Sequence, residues 1–215
     1  MKRYIAESIG TFILMFAGTG AIIVNQETNG TIGHLGICTT WGIIVSAMIY
    51  TFGTTSGAHF NPAVTLTFWM VKLFKGKEVI PYLISQAIGA FGATLLLTYL
   101  FPANEFLGGT LPKGDLMRSF ILEIVLGFML MLVILFTAHG SKEIGILAGL
   151  AIGGVIMITS IFAGPISGAS MNPTRSLAPA IVSGHIEYLG IYITAPFIGM
   201  FCAGIVWSLM KEEKN

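Results

Sequence analysis

The chain has 215 residues, of which 54% are hydrophobic and 10% are charged, and its formal net charge is +1 at pH 7. Soluble domains are typically about one quarter charged, so this chain carries too little charge to cover a water-exposed surface and is predicted to lie in a membrane. A net charge this close to zero excludes a nucleic-acid-binding role that depends on a basic surface.

Apolar runs predict an all-α membrane protein. Six of them are long enough to cross a bilayer as helices, which takes about 20 residues each. Two further apolar stretches, 61–71 and 172–183, are too short to span and are predicted to be re-entrant half-helices. The six predicted spans lie near residues 4–25, 33–54, 79–101, 116–138, 145–165 and 188–210.

Both short stretches begin at copies of one motif. Residues 56–64 read SGAHFNPAV and residues 167–175 read SGASMNPTR, with Ser, Gly, Ala, Asn and Pro at the same offsets. Asn61 and Asn172 are 111 residues apart, so each half of the chain has one copy. Asn followed by Pro starts a helix, because the Asn side chain caps it and Pro fits its first position.

Each half therefore contains three spans and one half-helix. Because an odd number of spans reverses the direction of the chain, the second half is predicted to be inverted relative to the first. This inverted repeat is predicted to divide the chain into residues 1–105 and 106–215. In such repeats the functional site lies near the midplane, between the two halves.

Basic residues predict the orientation. If the N-terminus is cytoplasmic, eight Lys and Arg residues lie on the cytoplasmic side and two lie outside, which agrees with the positive-inside rule. We therefore expect both termini in the cytoplasm and the protein in the cell membrane. The inner set is Lys2, Arg3, Lys72, Lys75, Lys77, Lys142, Lys211 and Lys214, and the outer set is Lys113 and Arg118.

Two carboxylates lie inside predicted spans, Glu7 in the first and Glu123 in the fourth. A carboxylate at membrane depth is costly and needs protein partners. One interpretation is a structural brace that accepts hydrogen bonds from the re-entrant backbone, and the other is a proton relay. The brace is favoured because no further ionisable residue links the two acids.

The two motif copies predict a pore. Non-helical backbone at membrane depth is tolerated where it is buried or lines a water-filled cavity, so segments 56–60 and 167–171 would present carbonyl acceptors to a lumen. The half-helices would point their positive N-terminal ends at the centre, with the amide groups of Asn61 and Asn172 as donors. Such a lumen passes water and hydroxylated solutes and opposes cations and protons. Arg175, in the first turn of the second half-helix, is predicted to donate into the pore, with binding to loop carbonyls as its structural alternative.

On these residues the chain resembles the aquaporin and glycerol-facilitator family (major intrinsic proteins) over essentially its whole length. Residues 56–64 look like the first family signature, and residues 172–176 look like the second, with Thr174 where Ala is usual. The resemblance implies an hourglass fold, a homotetramer with one pore in each subunit, and passive conduction. We expect no enzymatic activity, cofactor or metal site, since the four histidines lack metal-ligand spacing.

The resemblance also implies an outer constriction with four positions. Members that conduct only water usually have Phe and His at the first two, whereas this chain has Trp41, as facilitators do, and Ser160. Both Ser160 and Ala169 are small, which widens the gap beside Arg175. The four predicted filter residues are Trp41, Ser160, Ala169 and Arg175, and the predicted pore-lining backbone comprises Gly57, Ala58, His59, Gly168 and Ser170.

Other positions are mixed. Ser176 and Ala180 stand where facilitators usually have Asp and Lys, as in water channels, and this mixture is similar to the plant nodulin-like intrinsic proteins and their bacterial relatives. The leading hypothesis is a passive channel for glycerol-like polyols and water, with urea and neutral metalloid acids as further candidate solutes. The alternatives are a water-selective channel, an ion-coupled secondary transporter and a structural junction protein.

Overall fold

The computed structural model describes residues 1–211, and these form nine α-helices joined by loops. Lys214, one of the basic residues that predict the orientation, lies outside the described residues. The helices are α1 (Lys2–Glu27), α2 (Gly33–Ser56), α3 (Pro62–Met70), α4 (Gly76–Leu100), α5 (Leu116–Ala138), α6 (Lys142–Ile146), α7 (Ala148–Ser167), α8 (Pro173–Ser183) and α9 (Leu189–Met210).

Six of these helices, α1, α2, α4, α5, α7 and α9, are long and apolar enough to cross a membrane. The protein is therefore an integral membrane protein, and the prediction of six spans is confirmed. The fifth predicted span began three residues too early, because the apolar residues before Ala148 belong to the short helix α6 and its C-cap, Leu147.

The half-helices α3 and α8 begin at the two Asn-Pro pairs, as the sequence predicts. The backbones of Asn61 and Asn172 are extended, with φ of −153° and −147°, and each following Pro occupies the first turn. The Oδ1 atoms of these two residues accept hydrogen bonds from Ala63 N (2.9 Å) and Thr174 N (3.1 Å). Each Asn side chain thus satisfies one backbone donor that a helix start leaves free.

Equivalent helices pack in equivalent ways in the two halves. In the first half α1 packs against α4, and in the second α5 packs against α9. A Cβ atom at Gly89 would overlap the Ser8 carbonyl oxygen of α1, and one at Gly199 would overlap the Ile124 carbonyl oxygen of α5. Small residues at both crossings allow the helix backbones to approach closely, as is common inside membranes.

The halves join along α2 and α7. Each half-helix also contacts a spanning helix of the opposite half, α3 with α9 and α8 with α4. This places the two half-helices end to end inside the bundle. The chain crosses from one half to the other through the loop of residues 101–115, which we call the crossing loop. The predicted division between residues 105 and 106 falls in this loop and stays a prediction.

Candidate functional site

Two re-entrant loops, residues 57–61 and 168–172, connect spans α2 and α7 to the half-helices. Each begins at a left-handed glycine that ends its span, Gly57 with φ 85° and Gly168 with φ 83°. The left-handed region then recurs at residues with side chains, which rarely adopt it and must be held there by their surroundings. These residues are Ala58, Phe60, Ala169 and Met171, with φ of 51°, 50°, 45° and 53°.

The carboxylate of Glu7 holds the first loop. It is fully buried, and its Oε1 accepts hydrogen bonds from Ser56 Oγ (2.7 Å) and the backbone N–H of His59 (2.9 Å). Its Oε2 accepts from the backbone N–H of Phe60 (2.8 Å) and from Gln86 Nε2 (2.9 Å). Four donors therefore converge on one carboxylate and orient the strained backbone.

Glu123 holds the second loop in the same way. Its Oε1 accepts from Ser167 Oγ (2.7 Å) and the backbone N–H of Ser170 (2.9 Å), and its Oε2 accepts from the backbone N–H of Met171 (2.9 Å). The carboxylate is fully buried too. These contacts are the ones expected of a brace.

Two tyrosines that were not predicted from the sequence also hold the re-entrant loops. Tyr82 of α4 donates to the carbonyl oxygen of Ser56 (2.7 Å), and Tyr192 of α9 donates to that of Ser167 (2.6 Å). The signal available in the sequence was their spacing of 110 residues, close to that of the two motifs.

The loops meet through their asparagines. Asn61 Nδ2 donates to the Met171 carbonyl oxygen (2.8 Å), and Asn172 Nδ2 donates to the Phe60 carbonyl oxygen (2.9 Å). Since each Oδ1 accepts from a backbone N–H, the orientation of both amides is determined. Each amide has two N–H groups, so one is used between the halves and one remains.

One cavity of about 720 Å³ runs past both loops. Its lining includes Asn61, Asn172 and the predicted backbone residues Gly57, Ala58, His59 and Ser170. The predicted filter residues Trp41, Ser160, Ala169 and Arg175 line the same cavity. Gly168 is the exception among the predicted residues, because it faces the crossing loop, where a Cβ atom would lie 3.2 Å from Thr110 Cγ2. Thr174, where the family usually has Ala, is buried and does not line the cavity.

Arg175 lies in the cavity wall, 4% exposed. Its Nη1 donates to the Gly108 carbonyl oxygen of the crossing loop (2.9 Å), and its guanidinium carbon lies 5.0 Å from the centroid of the Trp41 ring. Within residues 1–211, no carboxylate lies within ion-pair distance of it. One of its five N–H groups is thus bonded to protein, which leaves donors for a molecule in the cavity.

The opposite end of the cavity is aromatic. The His59 ring lies 4.8 Å from the Phe68 and Phe74 rings, centroid to centroid, and its Nδ1 lies 3.1 Å from Thr65 Oγ1. His139, at the end of α5, also lines this end. Of these rings, only His59 was predicted from the sequence to line the pore, since nothing in the local sequence connects the other rings to the motif.

Comparison with known proteins agrees with this architecture. The family model of the major intrinsic proteins matches residues 1–207. The chain is 44% identical over 211 residues to the putative aquaporin NIP4-1 of Arabidopsis thaliana, covering 98% of this chain and 75% of that protein. It is 37% identical over 212 residues to nodulin-26 of Glycine max, covering 98% of this chain and 78% of that protein.

Among solved structures, the aquaglyceroporin from Plasmodium falciparum superposes with a TM-score of 0.87 at 27% identity, covering 97% of this chain and 96% of that one. The superposition confirms the predicted six-span fold with two half-helices. With matches along nearly its entire length, the chain belongs to the major intrinsic protein family, whose members are aquaporin channels and not enzymes.

Proposed function

We propose that this protein is a passive channel for small neutral solutes and water that excludes ions and protons. Glycerol-like polyols are the leading solutes, and urea and neutral metalloid acids belong to the same size class. The observation that supports the proposal is that Trp41, Ser160, Ala169 and Arg175 line one cavity, in which the Arg175 guanidinium lies 5.0 Å from the Trp41 ring.

This set suits a carbon chain that bears hydroxyl groups. The indole of Trp41 offers an apolar wall, while the free N–H groups of Arg175 donate hydrogen bonds to solute oxygens. Because Ser160 and Ala169 are small, they leave room that Phe and His side chains would occupy. The re-entrant carbonyl groups beyond them accept from the same hydroxyls.

Ion exclusion follows from fixed positive charge. Arg175 carries a full charge without a carboxylate partner in the described part of the chain, and both half-helices point their N-terminal ends toward the centre. A cation or hydronium ion would meet this field after losing much of its hydration. The remaining N–H of each central Asn donates to a water oxygen, which opposes a continuous proton-conducting chain.

The proposal is tested in vesicles containing the purified protein, by light scattering after glycerol, urea and sucrose gradients. In the double variant Ser160→His, Ala169→Phe we expect glycerol permeability to fall about tenfold or more, the factor that about 1.4 kcal/mol of added barrier produces, while water permeability is retained. Ile158→Phe places a Phe ring on the exposed face of α7, away from the cavity, and is the control. Equal loss of water and glycerol would contradict the assignment of these residues.

The same vesicles separate the alternatives. Fast water flux with background glycerol flux would identify a water-selective channel. Ser176 and Ala180, which are typical of water channels, would agree with that result. Saturable or ion-dependent uptake would identify a coupled transporter. That second alternative is disfavoured because Glu7 and Glu123 already accept four and three hydrogen bonds.

We also propose a homotetramer in the cell membrane with both termini cytoplasmic. The distribution of basic residues supports the orientation, and the family resemblance supports the tetramer. Single cysteines placed at Lys75 and Lys113, with Cys38 and Cys202 replaced by Ser, should label from opposite sides of sealed cells. The mass of the particle in detergent should correspond to four chains of 23.0 kDa.

A further inference from the structure

Each re-entrant loop makes a side-chain contact with its half-helix, and the next residue in the hydrogen-bond network differs between the two halves. In both, the residue two before the Asn contacts the residue four after it, His59 with Thr65 (3.1 Å) and Ser170 with Ser176 (2.6 Å). In the first half the contact continues to a spanning helix, where Gln86 Nε2 donates to Thr65 Oγ1 (3.0 Å). In the second half it continues to the crossing loop.

The crossing-loop partner is Thr110, whose Oγ1 donates to Ser176 Oγ (2.7 Å). Ser170 Oγ in turn donates to the Asn172 carbonyl oxygen (3.0 Å). Since each hydroxyl has one hydrogen, Ser176 must donate to Ser170. A one-way chain of hydrogen bonds therefore runs from Thr110 through two buried serines to the backbone of the central asparagine.

The same loop holds Arg175. The Gly108 carbonyl oxygen that accepts from the guanidinium lies two residues before Thr110, and two residues of chain span at most about 7 Å. Gly108 also packs closely on α1, where a Cβ atom would lie 2.7 Å from the Thr19 carbonyl oxygen. The hydrogen bond between Thr110 and Ser176 therefore lies within two residues of the acceptor that places the guanidinium.

We propose that Thr110 is a positioning residue for solute selection, although it lies outside the four predicted filter positions. Its hydroxyl bonds the crossing loop to Ser176 and, through Ser176, to the second re-entrant loop. This hydrogen bond positions the Gly108 carbonyl oxygen and through it Arg175. The inference rests on the proposed function, because it assigns Arg175 to selection. The proposal also gives Ser176 a role. Its hydroxyl accepts a hydrogen bond from Thr110 and donates one to Ser170, whereas an ionised Asp carboxylate in its place would have no hydrogen to donate.

Permeability ratios in vesicles test the role of Thr110. Thr110→Val removes the hydroxyl at nearly constant shape, and Thr110→Ser retains it. We expect the ratio of xylitol to glycerol permeability to rise about fivefold in Thr110→Val, a change comparable to the loss of one neutral hydrogen bond, and to stay at the wild-type value in Thr110→Ser. Thr98→Val is the matched control, because the Thr98 hydroxyl bonds to its own helix, at the Thr94 carbonyl oxygen.

A double-mutant cycle gives a second measurement that does not depend on the solute. Ser176→Ala leaves the buried Thr110 hydroxyl without its acceptor, whereas Thr110→Val with Ser176→Ala removes both partners. We expect the double variant to lose less melting temperature in detergent than the sum of the single losses. Additive losses would overturn the proposed chain of hydroxyls.

The outcomes distinguish this inference from the proposed function. A wild-type channel that passes neither polyol overturns the proposed function. A wild-type channel that passes glycerol, beside a folded Thr110→Val variant with an unchanged ratio, overturns only the role of Thr110. A raised ratio in both Thr110→Val and Thr110→Ser would also overturn it, since the hydroxyl would then not be the cause.

Discussion

Both re-entrant loops bond to each other through their asparagines, but only the second is also anchored to the crossing loop among the described residues. Gln86 closes the first network, because its Nε2 reaches both Glu7 and Thr65. In the second half the equivalent residue, Ser176, bonds instead to Thr110 of the crossing loop. A frame of buried carboxylates and tyrosines is thus repeated in both halves, and the attachment to which we assign solute selection is present in one.

The residues after the two prolines show the same division. Val64 and Arg175 occupy equivalent places three residues after their asparagines, and both line the cavity. The first is apolar and the second is charged, so equivalent positions of the two half-helices contribute different electrostatic potentials to the cavity. The proposed selectivity therefore depends on a residue in which the two halves differ.

The largest effect is expected from breaking the shared frame. Glu123→Ala leaves three buried donors unpaired and Glu7→Ala leaves four, and each stranded donor costs about 1–3 kcal/mol. We expect both variants to lose most of their folded yield, Glu7→Ala at least as much as Glu123→Ala. Melting in detergent measures this.

The matched controls are Glu7→Gln and Glu123→Gln, which keep one acceptor oxygen and nearly the same volume. They should fall between the wild type and the Ala variants. Wild-type melting of both Ala variants would contradict the role of the two carboxylates as braces.

The next largest effect is expected from Arg175→Ala, which removes the charge that distinguishes the two half-helices. Leakage of cations and of larger polyols should rise about tenfold, equivalent to the loss of a barrier of about 1.4 kcal/mol. Conductance and light scattering on reconstituted vesicles measure these leaks. Val64→Ala, at the equivalent position of the first half-helix, should leave cation leakage unchanged. An unchanged selectivity in Arg175→Ala would mean that the residue is structural.

A smaller effect is expected from Gln86→Met, which opens only the first network. Glu7 would keep three donors, as Glu123 has, and the Gln86 Oε1 that lacks a partner would be removed as well. These changes partly offset each other, so we expect a loss of about 1 kcal/mol in stability. The xylitol to glycerol ratio should not change, and a changed ratio would show that the first loop also selects solutes.

The smallest effect concerns His139, beside the aromatic end of the cavity. Burial lowers the pKa of His139 from its ordinary value of about 6.5. Since the folded pKa lies below the unfolded pKa, the stabilising contribution is present above the unfolded pKa and is lost as pH falls through the folded one. We expect the melting temperature to fall by no more than about 2 °C from this group between pH 7.5 and 5.5.

His139→Phe keeps an aromatic ring against Phe68 and Trp207 and is the variant for this measurement. The small pH dependence that His139 contributes should disappear in it. An unchanged pH dependence would assign the effect to another group.

Much of the fold could be predicted from the sequence because the bilayer imposes length and composition on each span. The six spans and both half-helices follow from apolar run length, and Asn61 and Asn172 begin the half-helices because Asn caps and Pro fits the first turn. The short helix α6 was missed, since its apolar residues merge with those of the next span.

The candidate site was predicted less completely. The predicted pore residues line one cavity, with Gly168 as the exception. Tyr82, Gln86 and Thr110 were not identified, because each reaches its partner from a distant part of the chain. Local patterns carry no information about contacts of that kind.

The sequence by itself determined the membrane setting, the six spans and the two paired helix starts, because hydrophobicity and capping act over short distances along the chain. Only the tertiary structure decided what each motif is attached to. The repeated residues SGA and NP predict the same local backbone twice. Whether that backbone is held by Gln86 of a spanning helix or by Thr110 of the crossing loop depends on how distant segments of each half pack together.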